Sequence, residues 1–378
     1  MLSNAPTPLY VAWQRELGFS SGTLTVVFAL YIAGLLGTLL AAGQLSDRYG
    51  RRAVLVPGVL AALVACLLFA SASSVAMLAV GRLLAGIAVG VTVSAGMAAV
   101  VDAAPDGRRR QAALLASAAM VLGAGLGPLL AGALAQALAR PVPAIFAIQA
   151  LVLLSALAVA WRLPPHRAAG TGPLRLRLPT VPRPNRLQVA CGVATFGPGI
   201  ASTSFVLALG PSLLSQLLGV RSPLLAGGMA CAMFLSSAGV QFVLRRWPIH
   251  RLFAASAIAT ALSMAGLLLT VHAAWAPALV ASALLAGAGQ GLGQLGGLTL
   301  IGLHVPDGHR AQANAVLNIG GYVPAGVLPV AAGYLIDAIG PARGASAFAL
   351  LLAAMALAGG VWAVRRARPS PAAPSPAG

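Results

Sequence analysis

The sequence predicts an all-α membrane protein built as two pseudo-symmetric helical bundles, and three observations carry the prediction. Of its 378 residues, 59% are hydrophobic and only 8% are charged. A soluble domain keeps roughly a quarter of its residues charged to solvate its surface. Eleven apolar runs punctuate the chain, each near the length of about 20 helical residues that crosses a bilayer core. The third observation is an internal repeat that relates the two halves at a constant offset.

The first five runs lie at 23–43, 53–71, 75–100, 112–138 and 144–161, and they define a first bundle over 1–161. The segment 162–186 is rich in Pro and Arg, has no apolar run, and reads as an extended cytoplasmic linker. Six more runs follow at 187–209, 224–244, 252–271, 275–303, 313–336 and 345–364, giving a second bundle over 187–364. The end of the chain, 365–378, opens with Arg365, Arg366 and Arg368 and dissolves into Pro, Ala and Ser. That composition predicts a disordered cytoplasmic tail. The 44 glycines and 26 prolines fit a membrane bundle, where small residues permit close helix approach and neighbours absorb proline bends.

The formal charge of +18 comes from 24 basic residues, all of them Arg. They cluster between the apolar runs without aromatic interleaving, which excludes nucleic acid as a partner and follows the positive-inside pattern. With the loop of Arg48, Arg51 and Arg52 in the cytoplasm, Arg15, Arg140, Arg221 and Arg343 fall outside and Arg82 lies within a span. Removing those five from the 24 leaves 19 on the inner side, which predicts a multi-pass protein of the cytoplasmic membrane. Cys66, Cys191 and Cys231 sit in apolar runs without ligand spacing, so they read as packing residues, and no disulfide, metal or cofactor is expected. The five His are scattered and the chain has no Lys for a phosphate-binding loop. It does not read as an enzyme.

Pro105-Asp-Gly-Arg-Arg-Arg-Gln-Ala112 recurs as Pro306-Asp-Gly-His-Arg-Ala-Gln-Ala313, an offset of 201 residues. At the same offset Leu83-Leu-Ala-Gly86 recurs as Leu284-Leu-Ala-Gly287, Gly90 maps to Gly291, Pro128 to Pro329, Gly132 to Gly333, and Leu17-Gly18 to Leu218-Gly219. Two related halves in the same orientation follow. The run 187–209 would map mostly ahead of Met1, so 1–8 is expected to be the outer end of a first helix. The chain then shows eleven of twelve membrane helices.

Gly43-Gln-Leu-Ser-Asp47-Arg48-Tyr-Gly50-Arg51-Arg52 joins the first two runs. Gly43 and Gly50 permit a tight turn, and Asp47 has basic neighbours and helix ends within reach. This stretch resembles the signature loop of the major facilitator superfamily. The resemblance implies a gate that latches the two halves on the cytoplasmic side, with roles for Asp47, Arg48 and Arg51. Arg82 stands in Leu78-Ala-Val-Gly-Arg82-Leu-Leu-Ala-Gly86, where a charge in lipid costs at least about 2.5 to 3.5 kcal/mol unless it is paired or faces water. The pattern is similar to the family's fourth-helix motif, whose Arg is implicated in proton coupling; snorkelling to the outer headgroups is the structural alternative. Gly123-Ala-Gly-Leu-Gly127-Pro128-Leu-Leu-Ala-Gly132 bends its helix and bares one face for packing. It resembles the fifth-helix motif of drug/proton antiporters in this superfamily.

Gln290 with Gln294, and Asn314 with Asn318, are i,i+4 pairs that each share a helix face. Together with Tyr31, Thr203 and Gln241 they are candidates for a substrate cavity, with interhelical hydrogen bonding as the alternative. The acids are Glu16, Asp47, Asp102, Asp106, Asp307 and Asp337, and none stands in the middle of a span. The resemblance implies a secondary transporter, a monomer in the bilayer, that uses protons as coupling ion to export a small amphipathic or hydrophobic substrate. The alternative on the same fold is a proton symporter importing a sugar or small metabolite.

Overall fold

The computed structural model describes residues 1–105, 107–163 and 179–367, except the side chains of Asp47 and Leu218. Most of the expected linker and tail, and Asp106, lie outside the described residues. Every regular element among the described residues is helical. The elements are a 3-10 turn Thr7–Leu9, α1 (Tyr10–Leu17), α2 (Ser21–Tyr49), α3 (Arg51–Ala70), α4 (Val75–Val91), a π-helical turn Thr92–Gly96 and α5 (Met97–Asp102). Then come α6 (Arg109–Ala137), α7 (Pro141–Trp161), a 3-10 turn Arg183–Asn185, α8 (Arg186–Leu218), α9 (Pro223–Val243) and α10 (Ile249–Ala273). The chain closes with α11 (Ala276–His304), α12 (Asp307–Ile339) and α13 (Pro341–Ala367). Taking α4, the π turn and α5 as one, 11 helices among the described residues are long and apolar enough to cross a membrane.

Local chemistry sets where these helices begin and stop. Ser20, Ser74 and Ser222 cap α2, α4 and α9 by accepting from Thr23 N, Met77 N and Leu225 N, which satisfies donors that every helix start leaves open. Prolines open α7, α9 and α13, where the missing N–H costs nothing. Gly18 ends α1 at φ 66° and Gly219 ends α8 at φ 64°, both left-handed. The same cap stands at the repeat-related position, where α1 aligns with the last turns of α8 at the 201-residue offset. Over 1–8, where the outer end of a helix is expected, the chain forms turns and a 3-10 turn instead, and the helix lies at Tyr10–Leu17.

Packing obeys the repeat as well. A Cβ at Gly86 of α4 would run into the Tyr31 carbonyl oxygen of α2, and one at Gly287 of α11 would run into the Met233 carbonyl of α9. Gly291 meets the Ser237 carbonyl one turn on, as Gly90 meets Thr38. The repeated Leu-Leu-Ala-Gly thus marks the crossing of the second and fourth helices of each half, held by backbone-to-backbone approach. The second bundle adds a buried serine network. Ser263 of α10 shares hydroxyl contacts with Ser202 of α8 and Ser282 of α11 at 3.2 Å, and Ser256 donates to Gly289 O at 2.8 Å.

All eleven expected spans are present, but several helices run past their apolar stretch. α2 continues through the Asp47 motif to Tyr49, α8 passes Pro211 to reach Leu218, and α12 starts at Asp307. Hydropathy marks the hydrocarbon core, whereas the hydrogen-bond ladder continues into the polar interface until a cap or glycine stops it. The matched loops also diverge: Gly107 sits at φ 86° ahead of α6, while Pro306 caps α12 and Gly308 lies within its first turn.

The halves meet where α2 packs against α12 and α6 against α9. The contacts that seal them fall away from the arginine-rich face. On one side, Gly22, Thr25 and Ile32 of α2 meet Tyr334, Gly333 and Gly326 of α12; on the other, Gly125 of α6 meets Cys231 of α9. Arg15 donates to Ser215 Oγ at 2.8 Å, Ser212 to Gln14 Oε1 at 2.6 Å and Ser222 to Gln136 Oε1 at 3.0 Å, closing the same end.

Candidate functional site: a cavity between two bundles

On the basic face α2 turns directly into α3 through Gly50, whose φ of 90° and ψ of 158° are open only to glycine. That single-residue turn aims Arg51 back over the helix ends. Its Nε donates to Asp102 at the end of α5 at 3.1 Å, and its Nη1 donates to Ser46 Oγ at 2.8 Å. The Arg51 side chain is 30% exposed and that of Asp102 is 60% exposed, so solvent screens the pair and it is worth at most about 1 kcal/mol. Arg52 lies over the Trp161 ring at 5.0 Å and Arg48 over the Tyr49 ring at 5.4 Å. Gly43 is half-buried on α2. Asp47 is in the last turn of α2, and its side chain is outside the described residues. These contacts tie the loop to its own half.

Arg82 is fully buried, which rules out snorkelling to the headgroups. Its guanidinium lies 5.0 Å from the Tyr10 ring, 5.4 Å from Phe28 and 5.9 Å from Tyr31. Nη1 donates to the Ser3 carbonyl, while Nε and Nη2 have no hydrogen-bond partner among the described residues. Ring faces and one carbonyl stabilise a cation, but they do not neutralise it. The site is a positive charge held in a low-dielectric bundle by α1, α2 and α4.

The α6 motif presents two faces. A Cβ at Gly127 would strike Met1, and Gly123 lies beside the same residue. Pro128 has no N–H for the Ala124 carbonyl, and Asn4 Nδ2 reaches that carbonyl at 3.4 Å. On the other face Gly227 of α9 approaches the Pro128 carbonyl and Gly132 approaches the Pro223 carbonyl. The motif therefore forms the seam between the two halves.

Toward the basic face α2 and α12 part around a cavity of about 190 Å³. Leu36, Leu39 and Leu40 line one wall, and Asn314 and Asn318 with Ala311, Ala315 and Ile319 line the other. No acidic or basic side chain is in this lining, and Asn314 Oδ1, itself buried, has no hydrogen-bond partner among the described residues. Such walls suit an apolar body carrying hydrogen-bonding groups.

The remaining expected cavity residues are spread out. Gln290 and Gln294 are half-buried on α11 and Gln241 is half-buried on α9. Tyr31 faces Arg82 instead of the α2–α12 cavity. Thr203 is 2% exposed and donates to Ile200 O within its own helix, so the structure does not bring it to this cavity. The π turn at Thr92–Gly96, on the span that carries Arg82, is not among the sequence expectations. Thr92 and Ser94 hydroxyls donate to the Ala88 and Gly90 carbonyls there. Two hydroxyl residues in an otherwise apolar run were its only signal.

A Major Facilitator Superfamily sequence profile matches residues 1–280 and 246–378. The chain is 36% identical over 95 residues to the multidrug resistance protein MdtL of Klebsiella pneumoniae (strain 342), and 32% identical over 94 residues to that of Escherichia coli O45:K1 (strain S88 / ExPEC). These matches span 25% of this chain and 24% of each relative, so the chain aligns with about a quarter of the relatives' length. Among solved structures, a D-xylose-proton symporter superposes with a TM-score of 0.70 at 15% identity over 96% of this chain and 93% of its own. The nucleoside transporter NupG superposes with a TM-score of 0.70 at 13% identity, over 97% and 96%. At such identities the likeness shows the fold.

Proposed function

We propose that this chain, which belongs to the major facilitator superfamily, exports small amphipathic or hydrophobic molecules across the cytoplasmic membrane in exchange for protons. The observation that carries export is the placement of the α6 motif. The Gly-Pro helix resembling that of drug antiporters lies on the seam between the halves, backbone against backbone with α9. A seam where glycines bring the backbones of α6 and α9 together lets one bundle rock on the other with little repacking of side chains there. The MdtL relatives, named as multidrug resistance proteins, support the same direction.

In this reading the structure is the inward-open state. The far end is sealed, and the α2–α12 cavity faces the basic, cytoplasmic side. Leucines on one wall and the Asn314 and Asn318 amides on the other receive a substrate with an apolar body and a few polar groups. Arg82 is assigned to coupling, because a fixed buried cation disfavours a second positive charge in the same bundle. The loop of Gly43, Asp47, Arg48, Gly50, Arg51 and Arg52 closes the cytoplasmic side in the opposite state. Driving force comes from the proton gradient and from the membrane potential, the latter worth about 2.3 kcal/mol per charge per 100 mV.

Everted vesicles from cells expressing the chain test this. An amphipathic dye is expected to accumulate inside them when their interior is acidified, and a proton ionophore should release it. Asn314→Leu with Asn318→Leu should cut the initial rate at least about fivefold, since each lost amide contact is worth about 1 kcal/mol. Dye uptake by intact cells, or accumulation indifferent to the ionophore, contradicts the proposal.

A further inference from the structure

Asp337 stands near the far end of α12, one turn before α13 begins. Its Oδ1 accepts from Ser21 N at 2.9 Å and its Oδ2 from Gly22 N at 2.8 Å, so one carboxylate takes the first two N–H groups of α2. Those groups have no partner within their own helix and carry the positive end of its dipole. Charged hydrogen bonds of this kind are about twice as strong as neutral ones. The contact spans the two halves, from the second bundle to the first.

The surroundings are shaped for it. A Cβ on Gly22 would lie 2.9 Å from Asp337 Oδ2 and 2.7 Å from Tyr334 Cδ1, and one on Gly333 would lie 2.8 Å from the Ser21 carbonyl. Only glycine on both helices allows the approach. Behind Asp337 the chain turns from α12 into α13 through Gly340 at φ 88° and ψ 160°. Gly50 turns α2 into α3 at φ 90° and ψ 158°. The sequences agree as the geometry does. Gly43-x-Leu45-x-Asp47-x-x-Gly50 and Gly333-x-Leu335-x-Asp337-x-x-Gly340 share every fixed position. The 201-residue repeat does not relate them, and they lie on opposite faces. The far copy carries Pro341, Ala342 and Arg343 after its glycine, without the adjacent arginines of the first.

We propose that Gly333–Gly340 is a second gate latch, on the face opposite the Asp47 loop, that holds the molecule shut there by clasping the N-terminus of α2 with Asp337. The two copies engage in turn: the far latch is closed in this structure, and opening that face requires Asp337 to leave Ser21 and Gly22. The inference concerns the conformational equilibrium and stands whether the substrate moves out or in.

Thr25 reports the equilibrium, since it is 1% exposed and faces Gly333 across the α2–α12 contact. The native Cys66, Cys191 and Cys231 are buried, which leaves a low labelling background. In intact cells, a membrane-impermeant maleimide is expected to react slowly with the full chain carrying Thr25→Cys. Adding Asp337→Asn should speed labelling about tenfold, because the amide turns a donor toward one of the two N–H groups. Ser21→Pro is the second variant: it deletes one donor, and Ser20 at φ −77° and ψ 171° already has the backbone that precedes proline. It should speed labelling as well, and it decides the matter alone if Asp337→Asn does not reach the membrane. Labelling unchanged by Asp337→Asn and Ser21→Pro overturns the latch, even if transport is lost.

Discussion

Arg82 is the residue on which structural and functional demands separate most clearly. It is fully buried, meets three aromatic rings and one carbonyl, and leaves Nε and Nη2 without a hydrogen-bond partner among the described residues. Replacing a buried, incompletely satisfied charge by an apolar side chain of similar length is often neutral or stabilising. Arg82→Met should therefore keep or raise the melting temperature of the detergent-solubilised protein while reducing dye export at least about tenfold. A drop of many degrees with export retained would make Arg82 a packing residue. The sequence announced Arg82, because an Arg in an apolar run has few explanations. Its partners were not legible, since Ser3, Tyr10, Phe28 and Tyr31 reach it through tertiary contacts that no local pattern encodes. Thr203 shows the reverse. A polar residue in a span suggested a cavity wall, and its hydroxyl is satisfied one turn back in its own helix.

At the scale of the element, the helices were legible because hydropathy and caps are local properties. Their ends moved where a helix continued past the hydrocarbon, as in α2 and α12. The repeated Leu-Leu-Ala-Gly has a physical reading now: Gly86 and Gly287 are where α4 and α11 cross α2 and α9 with no room for a side chain. Gly86→Val or Gly287→Val forces an entire helix to shift, and overpacking costs about 1 to 3 kcal/mol or more. Each variant should lower thermal stability, and to a similar degree, because the two sites are related by the repeat. Unchanged melting of both would contradict the crossing geometry, read by fluorescence-detected size exclusion after heating. The π turn between α4 and α5 escaped the sequence reading, since its cause is a shift of hydrogen bonds by Thr92 and Ser94 hydroxyls within a continuous span.

The whole molecule is two related bundles that meet through close glycine contacts and a few polar side chains, and part around a leucine- and asparagine-lined cavity on the basic face. The repeat made the two halves legible in the sequence. Which end is shut was not, because that depends on contacts such as Asp337 with Ser21 that join residues about three hundred positions apart. Coupling of substrate export to proton entry is what sets this proposed exchange apart from symport on the same fold. Purified protein in liposomes, with a fluorescent amphipathic substrate and an internal pH indicator, measures both fluxes together. With no imposed pH gradient, a substrate gradient driving outflow should draw protons inward against it, and reversing the substrate gradient should reverse the proton movement. Protons moving in the same direction as the substrate, or no proton movement while the substrate crosses, would contradict the account.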